Sequence, residues 1–296
     1  MNTLFSGLES IVRQCEPLAM HTWFQLGGNA EYFAMPSGVE EMSQLLIRCR
    51  DAGVPVRLLG RGSNILVRDE GVAGLVISLS APAFATLAAD RNMLMAGCGA
   101  PLNQLITLAV HHGLAGLEEL IGIPGSVGGA IHGNVSSRGS DIGQWTAAVT
   151  IMTRDGEVVE RSPEEMAFSH RRCELDPQEV ILSARFELEP DDPAQLSRRM
   201  QKAWILRRSR QPLSHQSVGR IFRDPREESA ATLITQAGLK GTSIGGARIS
   251  ERHAGFIETE AEATFSDVQR LIELVRNQVR LRCGVDLELE IEIWAS

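Results

Sequence analysis

The stretch LLGRGSNILVRD, residues 58–69, runs from an apolar segment into Gly60-Arg61-Gly62-Ser63-Asn64 and out again into Ile65-Leu66-Val67. It reads as a strand, a glycine turn and a second strand. Glycine lets a backbone approach an anion closely, so such a loop can aim several N–H groups at one phosphate. Ser63 and Asn64 add side-chain donors. A second stretch, GIPGSVGGAIHGN at residues 122–134, has five glycines in thirteen residues. Neither contains GxxxxGKS/T, and neither fits G-x-G-x-x-G opening a helix after a strand. Each alone is compatible with a plain tight turn. Two in one chain favour a dinucleotide held at its pyrophosphate by backbone groups, and composition carries the argument no further.

Outward from these loops, strand and helix signals alternate. PSGVEEMSQLLIRCRDAG, residues 36–53, offers Ser37 and Glu40 as a capping box, apolar Val39, Met42, Leu46 and Cys49, and Gly53 as a stop. VPVRLLG, NILVRD and GLVISL read as short strands, and PLNQLITLAVHHG as a helix with Pro101 in its first turn and Gly113 after its last. A hairpin is expected at Asp155-Gly156, between AAVTIMT and EVVER. Ser162 and Glu165 form a second capping box, EVILSARFELE a strand, and PAQLSRRMQKAWILRRSR a basic amphipathic helix. SAATLITQAG ends at Gly238, and a helix fills the stretch between Ser266 and Gly284. In the closing DLELEIEIW, Leu287, Leu289, Ile291 and Ile293 face one way and Glu288, Glu290 and Glu292 the other. Domain boundaries are expected near Leu79 and at Gln211-Pro212.

The 296 residues carry a formal net charge of −8, with the basic residues scattered, which argues against a nucleic-acid partner. Five dispersed cysteines with no CxxC pair argue against a disulfide framework or a zinc site; no metal is expected, and a reducing compartment is. The opening MNTLFSGLESIVRQ lacks a basic start followed by an apolar core, and no uninterrupted apolar run is long enough to span a bilayer. A cytoplasmic protein without membrane insertion is expected.

Together, GRGSNILVRDEGVAGLVISL and GIPGSVGGAIHGN resemble the flavin-binding signatures of the UDP-N-acetylenolpyruvoylglucosamine reductase family of bacterial cell-wall synthesis. The likeness continues in HTWFQLGGNAEYF, RRSRQP, LITQAGLKGTSIGGARISERHAGFI and GVDLELEIEI, so it spans nearly the whole chain in order. It resembles the shorter class of that family. The resemblance implies an α+β chain with an FAD-binding fold of the vanillyl-alcohol-oxidase type. It implies subdomains at 1–79 and 80–210, the second joined by strand 285–296, and a substrate domain at 211–284. It implies non-covalent FAD, NADPH as hydride donor and a UDP-sugar substrate reduced at its enolpyruvyl group, in a monomer or weak homo-oligomer. Gly60, Arg61, Gly62, Ser63 and Asn64 would hold the cofactor, with Ile123, Pro124, Gly125, Ser126, Gly128, Gly129 and Ala130.

The same resemblance puts Arg171 where the family binds the substrate carboxylate and stabilises the enolate, a task suited to a planar guanidinium. His170 takes the place of a tyrosine beside it, and Arg223 joins the substrate side. Glu290 falls on the family's catalytic glutamate. GRIFRDP, residues 219–225, aligns with Gly-Ser-x-Phe-Lys-Asn-Pro, so Arg220 stands where a serine delivers the proton to C2. A guanidinium, with a pKa above roughly 12, stays charged and is a very poor acid near neutral pH. Ser217 and Cys173 are candidate substitutes, and Glu292 is a candidate ion-pair partner for Arg220. Further departures are Asp224 for asparagine, NVSS at residues 134–137 for Asn-Ala-Gly-Ala, and Glu258 where Val-Asn is usual. The alternative reading is a diverged flavoprotein that binds FAD but lacks the standard reductase activity.

Overall fold

The computed structural model describes residues 3–137, 139–212, 216–225 and 227–295. The chain forms two compact units, each assembled from separate stretches. The first holds Tyr32–Arg61 and Gly74–Arg207 with the residues up to Gln14, and the second Cys15–Glu31, Gly62–Ala73 and the chain from Arg208 onward. Both mix helices and strands, the α+β content expected.

In the first unit a five-stranded antiparallel sheet runs in the order Val158–Arg161, Thr146–Met152, Val180–Glu187, Met93–Gly97, Leu87–Asp90. Its central strand buries Val180, Leu182, Ala184 and Phe186 on one parity, as a sheet with one covered face requires. The expected hairpin closes at Gly156, whose φ of 82° is open to glycine at no steric cost. Val56–Leu59 lies parallel to Val72–Ser78, in a four-stranded sheet completed by Asn29–Ala34 and Val12–Pro17. The first glycine loop therefore leaves the carboxyl end of a parallel strand, the end where ligands gather in open sheets.

Helix signals were local and largely held. Ser162 and Glu165 make the reciprocal capping box before Pro163–Met166, and Gly53 closes Val39–Ala52 at φ 65°. The start of that second helix is shifted from expectation. Gly38 is its N-cap, and the N–H and hydroxyl of Ser37 bond the Glu41 carboxylate at 2.6 and 2.8 Å instead of Glu40. Ser37 sits one residue before the cap, so the carboxylate that reaches back to it comes from one position later. Pro101 likewise caps Leu102–His111 from outside.

The second unit has an antiparallel sheet ordered Ser217–Gly219, Phe256–Thr259, Ala247–Ile249, Ser243–Ile244. Against it, Phe265–Cys283 buries Val268, Leu271, Ile272, Val275 and Val279, its start fixed by a Thr264–Asp267 capping box. The closing strand was expected to join 80–210. It pairs instead within the second unit, Glu292–Trp294 running parallel to Ile65–Val67, where Leu66 is fully buried and Trp294 2% exposed. Burial of these two side chains outweighs any preference for a neighbour nearer in sequence. Among the described residues no helix is long and apolar enough to cross a membrane, and all five cysteines are free.

Candidate functional site

The first unit builds a backbone-lined corner from Gly60 and Arg61 of the first glycine stretch and from the second stretch. Gly60 follows the last residue of its strand, and a Cβ there would stand 2.9 Å from Ser126 Oγ. Ser126 is buried and caps the short helix Val127–His132, its Oγ accepting the Gly129 N–H at 3.3 Å. The helix N-terminus is otherwise occupied: the Val127 N–H goes to Ala100 O, and the Gly128 N–H to Cys98 O. Gly128 is needed for packing, because a Cβ would lie 2.9 Å from Cys98 Cβ. The Ile123 N–H bonds Leu120 O, and the Ala130 N–H bonds Ser126 O. Pro124 has no N–H to offer. Among the described residues, the N–H groups of Gly60, Arg61, Gly125 and Ser126 donate no hydrogen bond inside the chain. The two loops thus present a small set of unused donors, narrower than the whole 123–130 run.

Also in the first unit, Arg171 occupies a four-residue turn in which Ser169 and Arg172 exchange N–H to C=O bonds of 2.9 and 3.2 Å. Its φ is 59°, a region that a side chain enters at a cost of about 1–3 kcal/mol and that persists only where surroundings over-determine it. They do so here. Asn134, 2% exposed and at the end of the second glycine stretch, donates to Ser169 O at 2.8 Å while its Oδ1 accepts the Gly143 N–H at 3.0 Å. Arg171 itself donates to Ser136 O at 3.2 Å. Neighbouring His170 is exposed. Cys173 is buried, which pushes its thiol up to about 11.

In the second unit three stretches far apart in sequence lie side by side. Asn64 donates from its side chain to Glu290 O at 3.1 Å and accepts the Glu292 N–H at 2.9 Å. The Glu290 N–H goes to Ile221 O and the Arg223 N–H to Glu288 O, with Phe222 facing Leu289 in an antiparallel bridge. Glu290 is half-buried with its Oε2 atom fully covered, whereas Glu288 and Glu292 are exposed. The plain reading of a solvated glutamate face therefore fits two of the three. Gly62, at φ 65°, accepts the Trp23 N–H at 2.9 Å and rests directly on the backbone of His21.

Arg220 also adopts a left-handed backbone, φ 55°. Its expected partner Glu292 is not the one found: Arg220 pairs with Asp224 at 3.5 Å, while Asp224 also accepts the Ala230 N–H at 3.0 Å. Arg223 makes an exposed 3.7 Å pair with Glu288, and Glu258 a 3.1 Å pair with Arg248. Ser217 is 2% exposed and donates to Pro212 O at 3.4 Å, so its hydroxyl is turned into the protein.

His253, which sequence reasoning passed over, belongs to the same neighbourhood as Arg220. Its Nδ1 accepts the Gly255 N–H at 3.1 Å, so the neutral ring carries its proton on Nε2. Burial, and then the charge of Arg220, hold its pKa below the usual imidazole value. The unfolded chain therefore takes up a proton before the folded one does. The contribution of neutral His253 is complete above about pH 6.5 and is lost as pH falls from there toward the folded value. In an NMR titration, Arg220→Ser should raise the His253 pKa; an unchanged value would mean that burial acts alone.

Against this geometry the comparisons are specific. Residues 211–294 match the family described as UDP-N-acetylenolpyruvoylglucosamine reductase, C-terminal domain, and residues 30–162 the one described as FAD binding domain. A UDP-N-acetylenolpyruvoylglucosamine reductase of Rhodopirellula baltica is 39% identical over 284 residues, covering 96% of this chain and 93% of its own. The chain belongs to the UDP-N-acetylenolpyruvoylglucosamine reductase family. A reductase of that name from Moorella thermoacetica is 37% identical, over 99% of this chain and 96% of its own. The crystal structure of the family's Thermus caldophilus member superposes with a TM-score of 0.83 at 34% identity, covering 96% of this chain and 98% of that one. Membership extends over both units and both glycine loops.

Proposed function

We propose that this chain is an FAD-dependent reductase that uses NADPH to convert UDP-N-acetylglucosamine enolpyruvate to UDP-N-acetylmuramate in peptidoglycan precursor synthesis. The observation that carries the reading is the set of unused N–H groups at Gly60, Arg61, Gly125 and Ser126, in loops where a Cβ on Gly60 would press on the Ser126 hydroxyl. That is the donor chemistry a pyrophosphate needs, so FAD fits the residues present. The chemistry supplied by bound FAD is hydride transfer from NADPH to the enolpyruvyl C3.

The chain's own residues then handle charge. Negative charge develops at C2 and spreads onto the carboxylate, and Arg171 meets it with a planar, permanently charged fork. The strained turn that fixes Arg171 supports this role, since pre-organised donors need not reorient as charge develops. Glu290 stands in the second unit beside the Arg220 segment, its partly covered carboxylate supporting a hydrogen-bonding role toward the enolate. Arg220 and Arg223 bind anionic groups of the substrate, and Arg220 holds charge without giving up a proton. The proton reaching C2 is an exchangeable one. With NADPH in D2O, the product should carry deuterium at C2; a C2 without deuterium would overturn this step. Five free thiols support work in a reducing cytoplasm. We assign the chain a monomeric or weakly self-associating state.

Anaerobic stopped-flow absorbance of the FAD-loaded protein tests the reading. NADPH should bleach the flavin's visible band, and the enolpyruvyl UDP-sugar should then restore it rapidly. A flavin that bleaches but is not reoxidised by the sugar would leave a flavin-binding protein without this activity.

A further inference from the structure

We propose that Arg207 is a positioning residue that ties the entry of the second glycine loop to the strand anchoring Arg171. It sits near the end of the helix Pro193–Arg210. Its Nε donates to Ile121 O at 3.0 Å, and its Nη2 to Glu119 O at 3.5 Å and to Ser137 Oγ at 3.0 Å. Gly122, at φ 80°, leaves the room this side chain occupies: a Cβ there would be 3.0 Å from Arg207 Cδ.

One residue before Ser137, the carbonyl of Ser136 accepts the Arg171 guanidinium at 3.2 Å. Two arginines from distant parts of the sequence thus grip adjacent residues of one short strand, Ser136–Ser137. All of these groups belong to the first unit. A rigid fork with several donors can bridge acceptors on two segments, which a single ammonium cannot do with the same directionality. Movement at Ile121–Gly122 is passed to the donors at Gly125 and Ser126, and movement at Ser136–Ser137 to Arg171. Arg207 joins the two.

The inference rests on the reading above, in which the loop holds FAD and Arg171 meets the substrate carboxylate. The test uses the full-length FAD-loaded protein and three variants. Ser137→Ala should lower kcat and kcat/KM for the enolpyruvyl UDP-sugar together by about three- to tenfold, the effect of one hydrogen bond, with FAD affinity and bleaching by NADPH unchanged. Arg207→Ala should lower kcat and kcat/KM at least as far and also weaken FAD binding by about tenfold or more. Arg207→Lys should resemble Arg207→Ala. Hydrogen exchange on the apo-protein should rise at both 119–126 and 134–137 in Arg207→Ala, and only at 134–137 in Ser137→Ala. Wild-type kinetics in Arg207→Lys, or faster exchange at only one segment in Arg207→Ala, overturns the proposal. Should the wild-type protein take up no FAD, the functional reading falls, while the exchange measurement still decides whether Arg207 links the two segments.

Discussion

Arg171→Ala should lower kcat/KM for the enolpyruvyl UDP-sugar by about a thousandfold, with FAD binding and bleaching by NADPH retained, since loss of one donor to a developing oxyanion costs about 10²–10³. An interaction made chiefly in the transition state is lost from kcat and kcat/KM together, which separates this role from simple substrate binding. Arg171→Lys should fall between, because the charge stays while the fork is lost. The backbone offers a further control. At φ 59°, Arg171→Gly should be more stable than Arg171→Ala by about 1 kcal/mol yet equally inactive, since glycine enters that region without strain. Denaturant titration and stopped-flow kinetics on the three variants decide the matter. A loss below tenfold, or a flavin no longer bleached by NADPH, would remove Arg171 from the substrate's carboxylate.

Gly62→Ala should cost about 3 kcal/mol of stability and abolish FAD uptake, combining left-handed strain with overpacking against fixed backbone. A Cβ at Gly62 would collide with the carbonyl of His21 and come within 2.8 Å of Thr22 Cα. Neither can move away easily. The Thr22 hydroxyl is bonded to Leu26 O at 3.2 Å, the His21 ring to Glu16 at 3.0 Å, and the Trp23 N–H to Gly62 itself. Gly53 provides the comparison, having the same φ of 65° with nothing within 4 Å of its would-be Cβ. Gly53→Ala should therefore cost only the backbone strain, about 1 kcal/mol. Equal losses in the two variants, read by denaturant unfolding, would show that the close approach at Gly62 carries no energy.

Much of the scaffold was legible because it is local. The Ser162–Glu165 box, the Asp155-Gly156 hairpin and the stop at Gly53 each depend on residues within one turn of one another. The glycine loops were legible as loops for the same reason. Which of their N–H groups remain for a ligand was not, because Ala100 and Cys98, brought in by packing, take those of Val127 and Gly128.

By itself the sequence determined the alternation of helices and strands, the two glycine loops and, through its resemblance, a family to which the chain does belong. Only the tertiary structure decided that the closing DLELEIEIW is not one strand. Its 288–290 portion crosses to 221–223, and its 292–294 portion pairs with 65–67, so Glu290 is half-buried while Glu288 and Glu292 face solvent. Strict alternation could not separate three identical residues, because period two describes one strand against one partner. What distinguishes Glu290 is that it bonds both segments, Ile221 through its N–H and Asn64, more than two hundred residues away, through its carbonyl, where Leu66, Leu287, Ile291 and Trp294 are buried. Hydrophobic burial is non-directional and indifferent to sequence distance, so no local pattern records where it will bring the chain together.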